Sequence, residues 1–200
     1  FQPDAYFFST YKTYATHLGL MYVARDFARE LDPQCHYFNT EFPEKRFDAA
    51  GPDHVSIAAL AGLGEYFDQC HRHHFGKTRV SLKKKANQIS GLMHKHETEL
   101  CKILLNGLKE FPVRIIGKNT VKWREANVSL VSDKYTPEQL SLGLAKHDIS
   151  VGQGHFYAKR LLGKLGLIET HGGVLRISLA HYNTKDEIAH TVSTLQSLLQ

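Results

Sequence analysis

Cysteine is scarce in this chain of 200 residues: Cys35, Cys70 and Cys101 are odd in number, far apart and never in a C-x-x-C pair. That excludes a disulfide framework and fits a reducing, cytoplasmic setting. Long apolar runs are missing too. The longest, Gly19–Ala24 and Ile57–Leu63, fall far short of the roughly 20 residues a membrane helix needs, so no membrane role is expected. There is no low-complexity tract, and 42% hydrophobic with 22% charged residues is the balance of a globular chain, not a disordered one. No cationic leader with a small-residue cleavage site is visible. A chain that opens on Phe1 and enters the apolar run Ala5–Phe8 at once is expected to be a piece of a longer protein. Aromatic and basic residues do not interleave as they do in single-strand binders, which argues against a nucleic-acid partner. The net charge of +5 is spread along the chain, apart from Lys83–Lys85, and suits attraction of a small anion.

What is present reads as strands alternating with helices. Ala5–Phe8 and Leu18–Val23 have the look of two short buried strands around a polar stretch, Ser9–His17. Asp26–Leu31 is a short helix stopped by Pro33, and Gln34–Gly51 is irregular. Asp53 can cap a helix in which Ile57, Leu60, Ala61, Gly64 and Phe67 recur at helical spacing, ending near His73–Gly76. Leu82, Ala86, Ile89, Met93, Leu100, Leu104 and Leu108 form one stripe of a long helix, a packing face. Beyond Pro112, strands are expected at Val113–Ile116, Asn127–Val131, Ile149–Val151 and Val174–Leu179. Helices are expected at Pro137–Lys146, Phe156–Leu165 and from Asn183 or Thr184 to Leu199. The pattern predicts an α/β or α+β sandwich, one sheet with helices on one side. The domains expected are 1–76 and 77–200.

The chemistry starts at Lys12. Most lysines between strands are solvated loop residues, but one held in a partly desolvated pocket becomes a nucleophile toward an aldehyde. Hydroxyls beside it, such as Ser9 and Tyr11, are fitting donors to a phosphate. His17, a short loop away, could line the same pocket as an acid–base group. Arg176 in a strand is ordinarily a surface ion-pair partner, though a rigidly held guanidinium also matches a carboxylate. His71, His73, His74, His94 and His96 lack a paired carboxylate or cysteine in register, so they read as helix-surface or helix-end residues and no metal is expected. Cys101, on the apolar side of the long helix, and Cys70 read as packing residues, and Cys35 as a loop residue.

Two segments carry a resemblance that decides between these readings. Asp4-Ala5-Tyr6-Phe7-Phe8-Ser9-Thr10-Tyr11-Lys12-Thr13-Tyr14 resembles the D-x-Y-x-F-S-x-x-K-x-Y segment of the class V aminotransferase and cysteine desulfurase superfamily. Arg176-Ile177-Ser178 through Glu187-Ile188 resembles the same superfamily's R-x-S-x-x-x-Y-N-T-x-x-E-I. The resemblance implies the pyridoxal 5'-phosphate (PLP) transferase fold of type I, here the end of the large domain plus the C-terminal small domain. It implies Lys12 as the Schiff-base lysine and general base, Ser9 on the cofactor phosphate, and Arg176 on the substrate carboxylate. Tyr11 stands where a phosphate-binding histidine is common. Gly51, in Ala50-Gly51-Pro52-Asp53-His54, stands where relatives place a threonine that reaches phosphate in the partner subunit, leaving Gly51 backbone and His54 as site members. Asn183-Thr184 reads as a helix cap. In Ile149–Ala158, similar to the desulfurase loop, the persulfide cysteine falls on Tyr157 and the loop arginine on Gly152. The implied activity is therefore PLP chemistry on an amino acid, in a homodimer, by lyase, epimerase or transaminase routes rather than persulfide formation. The competing expectation is a non-catalytic, basic, histidine-rich module that binds a metal or an acidic partner.

Overall fold

In the computed structural model, which describes residues 2–200, Ala5–Ser9 (β1) and Gly19–Val23 (β2) pair antiparallel, Ala5 opposite Val23 and Ser9 opposite Gly19. Between them Thr10–Thr13 forms a 3-10 turn, ended by Tyr14 in the left-handed region at φ 69°. Thr10 closes this loop. It is buried, its hydroxyl reaches the carbonyl oxygens of Thr16 and Leu18, and its N–H donates to Leu18 at 2.8 Å. The two strands stand where their apolar runs put them, but they are not buried: Tyr6, Phe7, Met21 and Tyr22 are all exposed. A two-stranded ribbon has two faces and no second layer of its own to cover them.

Arg25–Glu30 (α1) leads into the irregular stretch, which is organised by one side chain. The Arg46 guanidinium donates to the carbonyls of Ala28 at 2.9 Å, Thr40 at 3.0 Å and Leu31 at 2.9 Å. A cation at the C-terminal end of a helix satisfies carbonyls that have no partner within it. His54–Phe75 (α2) starts at Asp53, whose carboxylate accepts from Ser56 N–H at 3.0 Å and Ser56 Oγ at 2.6 Å. Leu82–Leu108 (α3) follows after Gly76, at φ 71°. The chain divides into two compact units, the first ending at Ile89 and the second running Ser90–Gln200.

Within the first unit, Asp68 on α2 pairs with Lys85 on α3 at 2.8 Å. His71 is not a helix-surface residue as expected from its neighbours. It is buried against Phe75, ring centroids 5.0 Å apart, with Nε2 3.1 Å from Gln88 Oε1. An imidazole whose polar edge meets an amide can be buried without an orphaned donor.

The second unit is built on a four-stranded antiparallel sheet of Val113–Ile116 (β3), Asn127–Ser132 (β4), Gly152–Gly154 (β5) and Val174–Ser178 (β6), in the order β3-β4-β6-β5. Its other helices are Pro137–Ala145 (α4), Lys159–Lys164 (α5), Leu167–His171 (α6) and Lys185–Leu199 (α7). One sheet face sends Val128, Leu130, Leu175 and Ile177 into a core shared with α3, α4 and α7. Successive strand residues point to opposite faces, and Val131 and Val174 accordingly join a smaller cluster with Leu162 of α5 and Leu167 of α6. Helices therefore flank both faces, not one side. Each fully buried leucine contributes about 1.5–3 kcal/mol of transfer free energy, so the larger cluster dominates this unit.

Two boundaries differ from expectation for a steric reason. Ile149 and Val151 pack on the core, whereas the ladder is made by Gly152–Gly154. A Cβ on Gly173 would lie 2.6 Å from the Gly154 carbonyl, so this close approach requires glycine. The following helix starts at Lys159 instead of Phe156, because Phe156 and Tyr157 take φ 47° and 60°. Both α4 and α7 begin with capping boxes, Thr136 with Gln139 and Thr184 with Glu187, which meets the cap expected at Asn183-Thr184. Among the described residues no helix is long and apolar enough to cross a membrane.

Candidate active site

Lys12 sits in the 3-10 turn of the loop that connects β1 and β2, exposed, with Nζ 5.7 Å from the Tyr11 ring centroid. Among the described residues it makes no hydrogen bond or ion pair. This exposed position is not the partly desolvated pocket in which a lysine amine becomes a nucleophile, although no carboxylate competes for it among the described residues. The Tyr11 ring stacks on His17, centroids 4.6 Å apart and planes 15° apart, so both rings flank the lysine's turn. Ser9, partly buried, ends β1 immediately before that turn. Thr10 supplies the internal bracing that keeps the turn closed. Sequence reasoning passed over it, and its only signal is a hydroxyl residue at the mouth of a hairpin loop.

The turn before α2 is brought to the same loop by a bond from Thr16 Oγ1 to Ser56 O at 3.3 Å. Gly51 and His54 lie there, both exposed, with open space around Gly51. Asp53 takes the Ser56 N–H for itself, and accepting from the Ser56 hydroxyl and N–H lowers its carboxyl below the usual aspartate value. That places a fixed negative charge at this helix start. A cleft of about 850 Å³ in this unit, lined by Leu18–Met21, Phe47, Pro52, Asp53 and Ile57 among others, adjoins this turn, but none of Ser9, Tyr11, Lys12, His17, Gly51 or His54 lines it.

Arg176 belongs to the second unit, in the middle of β6. Ser129 of β4 and Gly152 of β5 are its cross-strand partners. Its guanidinium carbon lies 3.8 Å from the centroid of the Phe156 ring, and its Nε is buried without a hydrogen-bond partner. Among the described residues no carboxylate pairs with it. Tyr157, at the tip of the loop before α5, is fully exposed. Cys35, Cys70 and Cys101 are free thiols, and burial raises the pKa of Cys101, which lies in the core. No three His, Cys, Asp or Glu side chains gather as a metal-ligand set among the described residues.

These features invite comparison with known proteins. The family model for aminotransferase class-V matches residues 1–190. The chain belongs to the class V aminotransferase family. Curated relatives include an aminotransferase-like protein of Gibberella zeae, 27% identical over 204 residues, with 98% of this chain and 46% of that protein covered. A probable cysteine desulfurase of Chlamydia muridarum is 26% identical over 210 residues, covering 98% of this chain and 47% of that protein. Among solved structures, the apo cysteine desulfurase of Thermococcus onnurineus superposes with a TM-score of 0.75 at 22% identity, over 98% of this chain and 47% of that one. A cysteine desulfurase of Escherichia coli gives 0.74 at 19% identity over the same shares. These structures show the shared fold, a mixed α/β architecture of the PLP-dependent type, as the resemblance implied. The chain spans about half the length of the curated relatives it matches.

Proposed function

We propose that this chain is the C-terminal half of a PLP-dependent enzyme acting on an amino acid. Residues 1–76 would close the cofactor-binding domain and 77–200 form the small domain that presents Arg176. Family membership and the unpaired Lys12 amine carry the proposal together: a family whose relatives include an aminotransferase-like protein and cysteine desulfurases, and a lysine without an acid partner at the family's anchor position. The donors present suit the cofactor. Lys12 would hold its aldehyde carbon, Ser9 and Tyr11 supply hydroxyls toward its phosphate, and Gly51 and His54 are further candidates on the adjoining turn. When bound, PLP serves as an electron sink that makes the α-proton of an amino acid labile.

The chain's own residues then divide the work. The Lys12 amine would move the proton at the substrate's Cα, and His17, on the same loop, would exchange protons with it. Arg176 grips the α-carboxylate through its paired N–H groups. Tyr157, where a desulfurase would carry its cysteine, offers no thiol, which favours elimination, epimerisation or transamination over persulfide formation. The reading includes a homodimer, as expected where sites form between subunits, and a cytoplasmic location, supported by three free and scattered cysteines.

The test is chemical. Loading the chain with PLP, reducing with borohydride and mapping the peptides should leave a pyridoxyl group on Lys12, and Lys12→Ala should lose it. A label spread evenly over the surface lysines, unchanged by the substitution, would overturn the assignment.

A further inference from the structure

The loop between β5 and α5 is backbone-strained without an evident structural need. Gly154, Phe156 and Tyr157 have φ of 114°, 47° and 60°, and the latter two are side chains that rarely adopt this region. What the strain achieves is the placement of one ring. Phe156 folds back over the Gly152–Arg176 pair, which the sheet register sets side by side. A Cβ on Gly152 would lie 2.8 Å from the nearest ring atom, so the ring occupies the space a side chain would otherwise fill. On its other flank the ring meets the Arg176 guanidinium at 3.8 Å.

Among the described residues nothing else fixes that guanidinium: no ion pair, and no hydrogen bond to its buried Nε. Arginine has a long and rotamer-rich side chain, and stacking on an aromatic face sets the plane of its fork while leaving the Nη edge open to a bidentate partner. We infer that Phe156 is the positioning residue for Arg176, seated by the bare backbone of Gly152, and that it aims the guanidinium at a carboxylate. The inference rests on the reading of Arg176 as the carboxylate-binding group. Phe156 also touches the small apolar cluster of Val131, Leu162 and Val174, so leucine at 156 keeps the packing and removes only the π-face.

The experiment follows the Arg176 Nε–H by NMR in the chain, alone and titrated with N-acetyl-L-alanine, a carboxylate whose blocked amine cannot react with PLP. In the unsubstituted chain this proton should be shifted upfield by the ring and should respond to the ligand. Phe156→Leu should abolish the upfield shift and raise the half-saturating concentration about fivefold to tenfold, with Phe156→Tyr restoring both to within about twofold. Gly152→Ala, which pushes the ring without altering it, should act in the same direction and serves if the leucine variant fails to fold. A Phe156→Leu protein with an unaltered Arg176 signal and unaltered half-saturation would overturn the inference and leave the carboxylate reading standing. An Arg176 signal that is ring-shifted but indifferent to N-acetyl-L-alanine would instead sink the carboxylate reading, and the positioning role with it.

Discussion

From Ser90 onward the buried side chains form a contiguous apolar body, in which Leu100, Leu104, Leu130, Leu144, Leu175 and Leu195 have essentially no exposure. Among the described residues up to Ile89, the buried set is Thr10, Ala28, His71 and Ile89. The first unit is ordered instead by polar groups acting at single points: the Thr10 hydroxyl, the Arg46 guanidinium, the Asp53 cap and the Asp68–Lys85 pair. The difference teaches where each unit is vulnerable. A leucine core spreads its stabilisation over many contacts of about 0.1–0.2 kcal/mol each, whereas a hub of hydrogen bonds is lost by one substitution and its loss stays local.

The sharpest way to break the comparison is Leu104→Ala against Phe7→Ala. The first removes a fully buried side chain and should lower unfolding free energy by about 2–5 kcal/mol. The second removes a larger but mostly exposed one and should change it by less than about 0.5 kcal/mol. Denaturant titration of both reads the contrast, and equal losses would mean the β1–β2 face is covered in solution. Next in size is Arg46→Ala. It strips four carbonyls, of Ala28, Arg29, Leu31 and Thr40, of a donor, an effect of about 1–3 kcal/mol. Hydrogen exchange should accelerate about tenfold or more over residues 24–48 while β4 and β6 stay protected. Acceleration throughout the chain would show that the hub serves the whole molecule.

The smallest effect is in the acid limb. Glu187 accepts from the Thr184 N–H and from Asn183, which lowers its pKa below the ordinary glutamate value, and Asp53 is lowered through Ser56. For a group depressed in the folded state, the stabilisation is present above the unfolded pKa and is lost as pH falls through the folded one. Stability should therefore decline as pH drops below the usual carboxylate range. Glu187→Gln should flatten that decline for the second unit and Asp53→Asn for the first, each read by thermal melts between neutral and acid pH. Melts of the two variants that stay parallel to the parent's would show the caps to be idle.

Much of this was legible beforehand because it is local. Thr136-Pro137 with Gln139, Thr184 with Glu187, and Asp53 with Ser56 announce helix starts through the residues that satisfy their own N–H groups. The α3 stripe follows from period alone from Ile89 to Leu108, whereas its first two members, Leu82 and Ala86, are exposed; the segments around Lys12 and Arg176 were matched to the family by resemblance. What was not legible depends on partners distant in sequence. Nothing near Tyr6 or Phe7 says whether a second layer exists. His71 is buried because Gln88, on another helix, meets its ring. The strand at Gly152–Gly154 hides because glycine has no pattern, and the folding-back of Phe156 is decided by a gap 24 residues from the arginine it touches.

Gly173 ties these observations to one atom. Since the backbone of residue 154 stands where its β-carbon would go, position 173 has an alphabet of a single letter. Any substitution there would peel the edge strand, and with it the glycine under the Phe156 ring, so the aim of a guanidinium three residues on hangs from a hydrogen.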